Sequence, residues 1–457
     1  DQAMLSFLGR AAYGYKKKYL GEFSARRDGS SVFGSNVRWG TFPSVGLGWA
    51  FSEERFMKKL WWLSFAKLRA SWGRSGQKFQ EPYLALGVLS ETDVFDGNAG
   101  LIPAQMSNPH LTWEKSDQYD LGLDLQVLDY RLKFKLDYYY KYSSNLLMQK
   151  YLPGNFFYTD KVWDNISAIS NEGIEFEMQA DLIRSKDLNL SVGLNVSHNR
   201  NLFRKTHNGE DLNDKVLGRP VYGIYTFQDE GIVKDESEIP YHYSQTGARL
   251  PLYFGNPNYP LRVGGRKIKD QNMDGKIDNS DLYYAGSTLP TAYGGINGHL
   301  DWKGFNVDVL FSYVLGRKVM NMVQNSAFSF NKTVNPLMGH FRANEYWSKD
   351  NPNATKPALE FADPGYLGHF DGNVDSNIEN ISFLRLKQLV LGYTLPATWF
   401  KSKFIKSVNV YLSGENLFML TNYSGLDPEV IDPYTGKDDG SQYPLNRKLT
   451  LGINVKF

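Results

Sequence analysis

Apolar and polar residues alternate one by one along many short stretches of this chain. The clearest is residues 447–457, RKLTLGINVKF. Leu449, Leu451, Ile453, Val455 and Phe457 fall on one side, and Lys448, Thr450, Gly452, Asn454 and Lys456 on the other. A strand turns successive side chains to opposite faces, so this period of two predicts a β-strand with one greasy and one wet face. The same period recurs at 5–16, where Leu5, Phe7, Ala11, Tyr13 and Tyr15 share a face. It also runs through 19–27, 43–51, 64–74, 121–127, 132–140, 173–182, 188–198, 293–302, 305–315, 381–395 and 408–415. These make about thirteen strands, most near the 9–11 residues that a tilted strand needs to cross a bilayer. Residues 52–63 predict one or two helical turns, and 340–349 a short helix ended by Pro352.

The links between strands alternate in length. Those near Lys17, Asp129, Ser185 and Lys303 are short, while 28–42, 75–116, 143–172, 199–290, 316–380 and 416–446 are long. A soluble sandwich would also bury one face of each strand, but it gives no reason for the long links to gather at one end. An outer-membrane barrel does, with short periplasmic turns, long extracellular loops, a lipid-facing apolar side and a polar lumen. The pattern predicts an all-β, transmembrane antiparallel β-barrel. An odd strand count leaves the first and last strands pointing the same way, unable to close antiparallel. Either 83–89 or 221–233 adds a strand, or earlier strands lie upstream; the second is preferred.

Composition sharpens this picture. Aromatics make up 15% of the 457 residues, with 29 Tyr and 28 Phe, which suits girdles at two membrane interfaces. Mean hydropathy is −0.44, and no run of about 18 apolar residues predicts a helical span. A net charge of +2 gives no electrostatic footprint for nucleic acid. The absence of cysteine excludes a disulfide frame, a zinc knuckle and thiol catalysis. The N-terminal DQAMLSFLGRAAYGY carries no signal-peptide pattern and enters a strand at once. For an exported protein, this predicts a processed chain or one that begins part-way.

One loop motif carries chemistry. In DQNMDGKIDNSD, residues 270–281, oxygen-bearing residues fall at positions 1, 3, 5, 9 and 12, with Gly at 6. That spacing suits a hard cation such as Ca²⁺. Asp270, Asn272, Asp274, Asp278 and Asp281 would offer side chains and Lys276 its backbone carbonyl. Asp at the twelfth position, in place of the usual Glu, shortens the reach. A plain Asp/Asn/Gly turn is the alternative. The loop belongs to a long extracellular region, 199–289, where a cation would stiffen a lid rather than catalyse.

Glu175 and Glu177 share a strand face, but Gln179 and Asp181 continue the row, as in a solvated lumen wall. No zincin helix, nucleophile elbow or phosphate-cradling loop occurs, and the chain does not read as an enzyme. Loop aromatics Tyr151, Phe156, Phe157, Tyr158, Trp163, Tyr222, Tyr225, Phe328 and Tyr366 are candidates for stacking on sugars or peptide side chains, with packing between loops as the alternative.

Several stretches resemble the SusC/RagA-type TonB-dependent outer-membrane transporters of Bacteroidota. They are RRDGSSVFG with RWGTFPSVGLGWAFSEERF in 26–56, KLRASWGRSGQ at 67–77, NPHLTWEKSDQYDLGLDL at 108–125 and NEGIEFEM at 171–178. FLRLKQLVLGYTLP at 383–396, YLSGENLFMLTNYSGLDPEV at 411–430, Tyr443–Pro444 and LTLGINVKF complete the series in family order. The resemblance implies a barrel of roughly 22 strands with a plugged lumen, a plug domain, a TonB box and a SusD-like surface lipoprotein as cap. It implies energy-coupled import of an oligosaccharide or peptide, and transporter–lipoprotein pairs that assemble as dimers. No stretch here resembles the plug or the TonB box, so 1–457 is read as the C-terminal portion of such a barrel. A passive or structural barrel and a soluble glycan-binding module are the competing readings.

Overall fold

A computed structural model describes residues 2–34, 36–79, 83–95, 98–152, 161–211, 215–323, 345–358, 373–399 and 404–457. Thirteen strands follow one another in a single antiparallel path within one sheet. They are β1 (Met4–Tyr15), β2 (Tyr19–Ser30), β3 (Trp39–Trp49), β4 (Leu63–Gln77), β5 (Glu114–Val127), β6 (Leu132–Tyr151) and β7 (Lys161–Arg184). Then come β8 (Leu188–Lys205), β9 (Ala292–Trp302), β10 (Phe305–Asn321), β11 (Ile378–Thr394), β12 (Ser407–Glu415) and β13 (Lys448–Lys456). Each stretch of alternating residues falls in one of these strands. No described helix is long and apolar enough to cross a membrane.

Register turns thirteen separate patterns into one surface. Trp49 pairs with Leu68, Leu68 with Leu123, Leu123 with Leu136, Leu136 with Phe176 and Phe176 with Val196. Further along, Val307 pairs with Leu391, Leu391 with Leu412 and Leu412 with Leu451. A slip of one residue would send every apolar side chain to the other face. The row is not packed into a core: Leu136, in mid-sheet, is 46% exposed. Aromatics gather at the short-turn end, where Tyr15 stacks on Tyr19 and Phe305 lies 4.5 Å from Tyr393. This is an apolar belt with a girdle, as lipid requires.

The short turns have matching local causes. Trp302 pairs with Phe305 across a two-residue loop, and Lys303 and Gly304 have φ of 47° and 90°. Positive φ at both central residues gives the turn whose twist fits a hairpin. Residues 51–53 and 57–59 form two 3₁₀ turns between β3 and β4, as the helical signal predicted.

The long links differ from expectation. Within 143–172, residues 143–151 and 161–172 are strand: β6 and β7 stay paired from Leu132↔Ala180 up to Tyr151↔Lys161. Above the membrane neither face meets lipid, so the apolar alternation stops while the ladder goes on. Residues 83–89 and 221–233 add no wall strand; Val88–Phe95 pairs with Asn98–Gln105, and Gly223–Thr226 with Tyr283–Ser287. Of the helix expected at 340–349, residues 340–344 lie outside the described set. The remainder holds bridges from Tyr346 to Lys356 and from Ser348 to Asn351.

Candidate functional site

The face opposite the belt is a charged lattice. Arg69, Gly122, Asp137 and Glu175 stand side by side on β4, β5, β6 and β7. Arg69 Nε donates to Asp124 at 2.9 Å, and its Nη2 reaches over to Asp137 at 2.8 Å. On the same face Lys135 pairs with Glu177 at 3.1 Å; Arg74 and Asp117, 2.8 Å apart, pair instead on the belt's side of the sheet, at its loop end. Asp181 pairs with Arg184. The row Glu175, Glu177, Gln179 and Asp181 is thus part of an ion-paired wet wall, and the two glutamates are not a catalytic pair.

Gly122 makes the double reach of Arg69 possible. A Cβ there would stand 2.3 Å from Asp137 Oδ1 and 2.6 Å from Arg69 Cζ. Gly122→Ala is expected to drive Arg69 off Asp137 and lower stability by about 1–3 kcal/mol. The thermal midpoint of the folded barrel in detergent checks this. In an Arg69→Ala background the same change should cost much less, as a double-mutant cycle would read.

Over this wall the long loops fold into a second layer. Residues 227–282 carry their own core of Phe227, Leu252, Phe254, Leu261, Ile268 and Ile277, which packs on Val374. Tyr283 donates to Asp375 at 2.6 Å, and burial and this bond push its hydroxyl up to about 12. The loop after β12 is tied to the wall by two buried arginines. Arg317 on β10 donates to the carbonyls of Thr288, Pro428, Ile431 and Asp432, at 3.1–3.3 Å. Arg385 on β11 pairs with Asp427, and its Nε lies 2.7 Å from Glu429, which also pairs with Lys387. That Nε is not aimed along a hydrogen bond, so its attraction to Glu429 is ionic.

The six predicted cation-loop residues come together in one turn. Asp270 accepts from the N–H groups of Met273 and Gly275, at 2.7 and 2.9 Å. Asn272 accepts from Asp274 N, and Asp274 from Lys276 N. Asp281, fully buried, accepts from Gln271 N and Asp278 N; burial raises its carboxyl. Lys276 Nζ sits 2.5 Å from Asp278 and holds that carboxyl down at about 2, helped by Ser280. Among the described residues no three His, Asp or Glu side chains converge as a metal cluster. The turn's oxygens are engaged by its own N–H groups and by the Lys276 ammonium.

Among the loop aromatics, Trp163 packs against the cluster of Phe33, Phe42 and Trp113. Tyr222 meets Tyr434 at 5.3 Å and Tyr225 meets Tyr284 at 5.8 Å. These three are loop-to-loop packing. Phe156, Phe157, Tyr158, Phe328 and Tyr366 lie outside the described residues, as does the side chain of Tyr151. Sequence reasoning missed the two arginine anchors. Arg385 sits within an unbroken strand pattern, and nothing local ties it to an aspartate 42 positions on.

The model of the family described as TonB dependent receptor-like, beta-barrel matches residues 5–313. The chain belongs to this family, and with it to the outer membrane. It is 30% identical to TonB-dependent receptor P26 of Formosa agariphila, over 99% of this chain and 46% of that protein. It is 29% identical to the TonB-dependent receptor SusC of Bacteroides thetaiotaomicron, over 99% of this chain and 44% of that one. Among solved structures, the RagAB peptide transporter superposes with a TM-score of 0.78 at 26% identity, covering all of this chain and 48% of its counterpart. The expected likeness to SusC/RagA-type proteins therefore holds. The matched proteins are receptors and transporters rather than enzymes. The chain spans about half the length of the curated relatives it matches.

Proposed function

We propose that this chain lines and roofs the path of a TonB-dependent, energy-coupled importer for an oligosaccharide or peptide, working with a SusD-like surface lipoprotein. The observation that carries the reading is the two-faced wall: an apolar belt outside, an ion-paired lumen inside and a pinned loop layer above. A soluble binding module would have no use for an exposed belt of this extent. A passive barrel would have the same belt, so energy coupling decides between them. Deleting the gene should abolish nutrient uptake, and collapsing the proton-motive force should do the same in the intact strain. Uptake that persists without the gradient would leave a passive barrel. A surface lipoprotein should co-purify from native membranes.

Calcium at residues 270–281 belongs to the same proposal. The spacing of the acids supports it, and Lys276 already occupies cationic ground beside Asp278. EDTA is expected to raise protease sensitivity around Asp270 while the barrel stays folded. Unchanged sensitivity would mean that the Lys276 contact and the turn's own hydrogen bonds suffice. The Asp278 carboxyl is lower in the folded chain than in the unfolded one. Its stabilisation is therefore present above the usual carboxylate range and fades as pH falls towards 2.

A further inference from the structure

The loop between β2 and β3 and the long link between β4 and β5 line a half-open cleft of about 350 Å³. That is within the range of small-ligand pockets. Its floor is apolar and fixed. Val32, Phe33 and Ala85 are all buried, and Phe33 is clamped by Phe79 at 4.9 Å and Trp113 at 4.8 Å. The two loops touch at Gly34, where a Cβ would stand 2.5 Å from the Pro109 carbonyl oxygen. That close approach shuts one wall.

The rim is of one sign. Arg38 lines the cleft and no described acidic residue does. The backbone of Arg38 is held, its carbonyl accepting from Trp113 Nε1 at 3.1 Å and from Ser30 N at 3.3 Å. Its guanidinium makes no ion pair among the described residues. Ser31 Oγ accepts from Ala3 N at 2.9 Å, which leaves the hydroxyl proton free to donate. Tyr83, also on the rim, is held at φ 69°, a strained backbone for an aromatic residue and of the kind that collects at ligand sites. A positive side chain on a held backbone beside a greasy floor, with the Ser31 hydroxyl next to it, suits an anion joined to an apolar body.

We propose that this cleft binds a carboxylate carried on a small apolar group, with Arg38 as its counter-ion. Resting on the import reading, it would engage cargo through such a terminus, as a peptide ending in an aliphatic residue would supply.

The test uses the purified full protein in detergent and two probes, N-acetyl-leucine and its uncharged amide, followed by titration calorimetry or saturation-transfer NMR. The acid should bind at least about tenfold more tightly than the amide. Arg38→Gln should erase that difference and Arg38→Lys keep part of it, with the thermal midpoint unchanged. Filling the floor with Ala85→Leu should weaken both probes. Equal binding of acid and amide, or a preference that survives Arg38→Gln, overturns the proposal. Acid binding without energy-coupled uptake would sink the import reading alone. Uptake without acid preference would sink the site alone.

Discussion

Leu136→Arg is expected to destabilise the barrel by about 2–4 kcal/mol, the cost of a cation facing lipid near the middle of the bilayer. Leu136 stands in a row between Leu123 and Phe176, with its side chain outward and 46% exposed. In a soluble protein an exposed leucine accepts arginine at almost no cost. Here the surrounding solvent is hydrocarbon. The matching substitution on the other face, Gln179→Arg, should change stability by less than about 0.5 kcal/mol, because that side chain meets water. The two midpoints, measured by loss of heat-resistant mobility in lipid or detergent, give the contrast. Equal costs at both positions would mean that the belt is not where register places it.

Asp427→Ala is expected to cost about 3–5 kcal/mol locally and to release the loop after β12. Arg385 and Asp427 are each about 95% buried, so removing the aspartate leaves a buried guanidinium with only its shared Glu429 contact. Glu429 is shared with Lys387 and cannot replace it. Limited proteolysis between residues 416 and 447 should detect the release before the wall unfolds. Replacing both partners, Arg385→Met with Asp427→Leu, should recover most of the loss, since the penalty lies in the under-paired buried charge. A double variant as labile as the single one would show that the ion pair itself holds the loop.

The wall was legible because lipid and water impose a period of two on each strand. Leu121 to Val127 and Leu132 to Tyr140 announce their hairpin without help from distant residues. The upper halves of β6 and β7 were not legible. From Ser143 to Tyr151 and from Lys161 to Glu172 neither face meets lipid, and the alternation that marks a membrane strand has no physical cause there. The loop layer was read only as motifs. The spacing of Asp270 to Asp281 located a real turn, yet its internal hydrogen bonds were beyond reach of spacing alone. Arg317 finds three of its four carbonyl partners more than 100 residues away, a contact that only the folded chain brings about.

The height of the β6–β7 hairpin has a mechanical consequence. A strand of 24 residues at about 3.3 Å each extends roughly 80 Å, which at the usual tilt is about twice the hydrocarbon thickness. Its rungs continue almost without a break from Leu132↔Ala180 up to Tyr151↔Lys161. Such a ribbon is stiff against pulling, because its rungs must break to let it lengthen. Tension on the roof of the molecule is thus carried down a mast into the embedded wall, and motion at the surface is felt at the depth of the lipid.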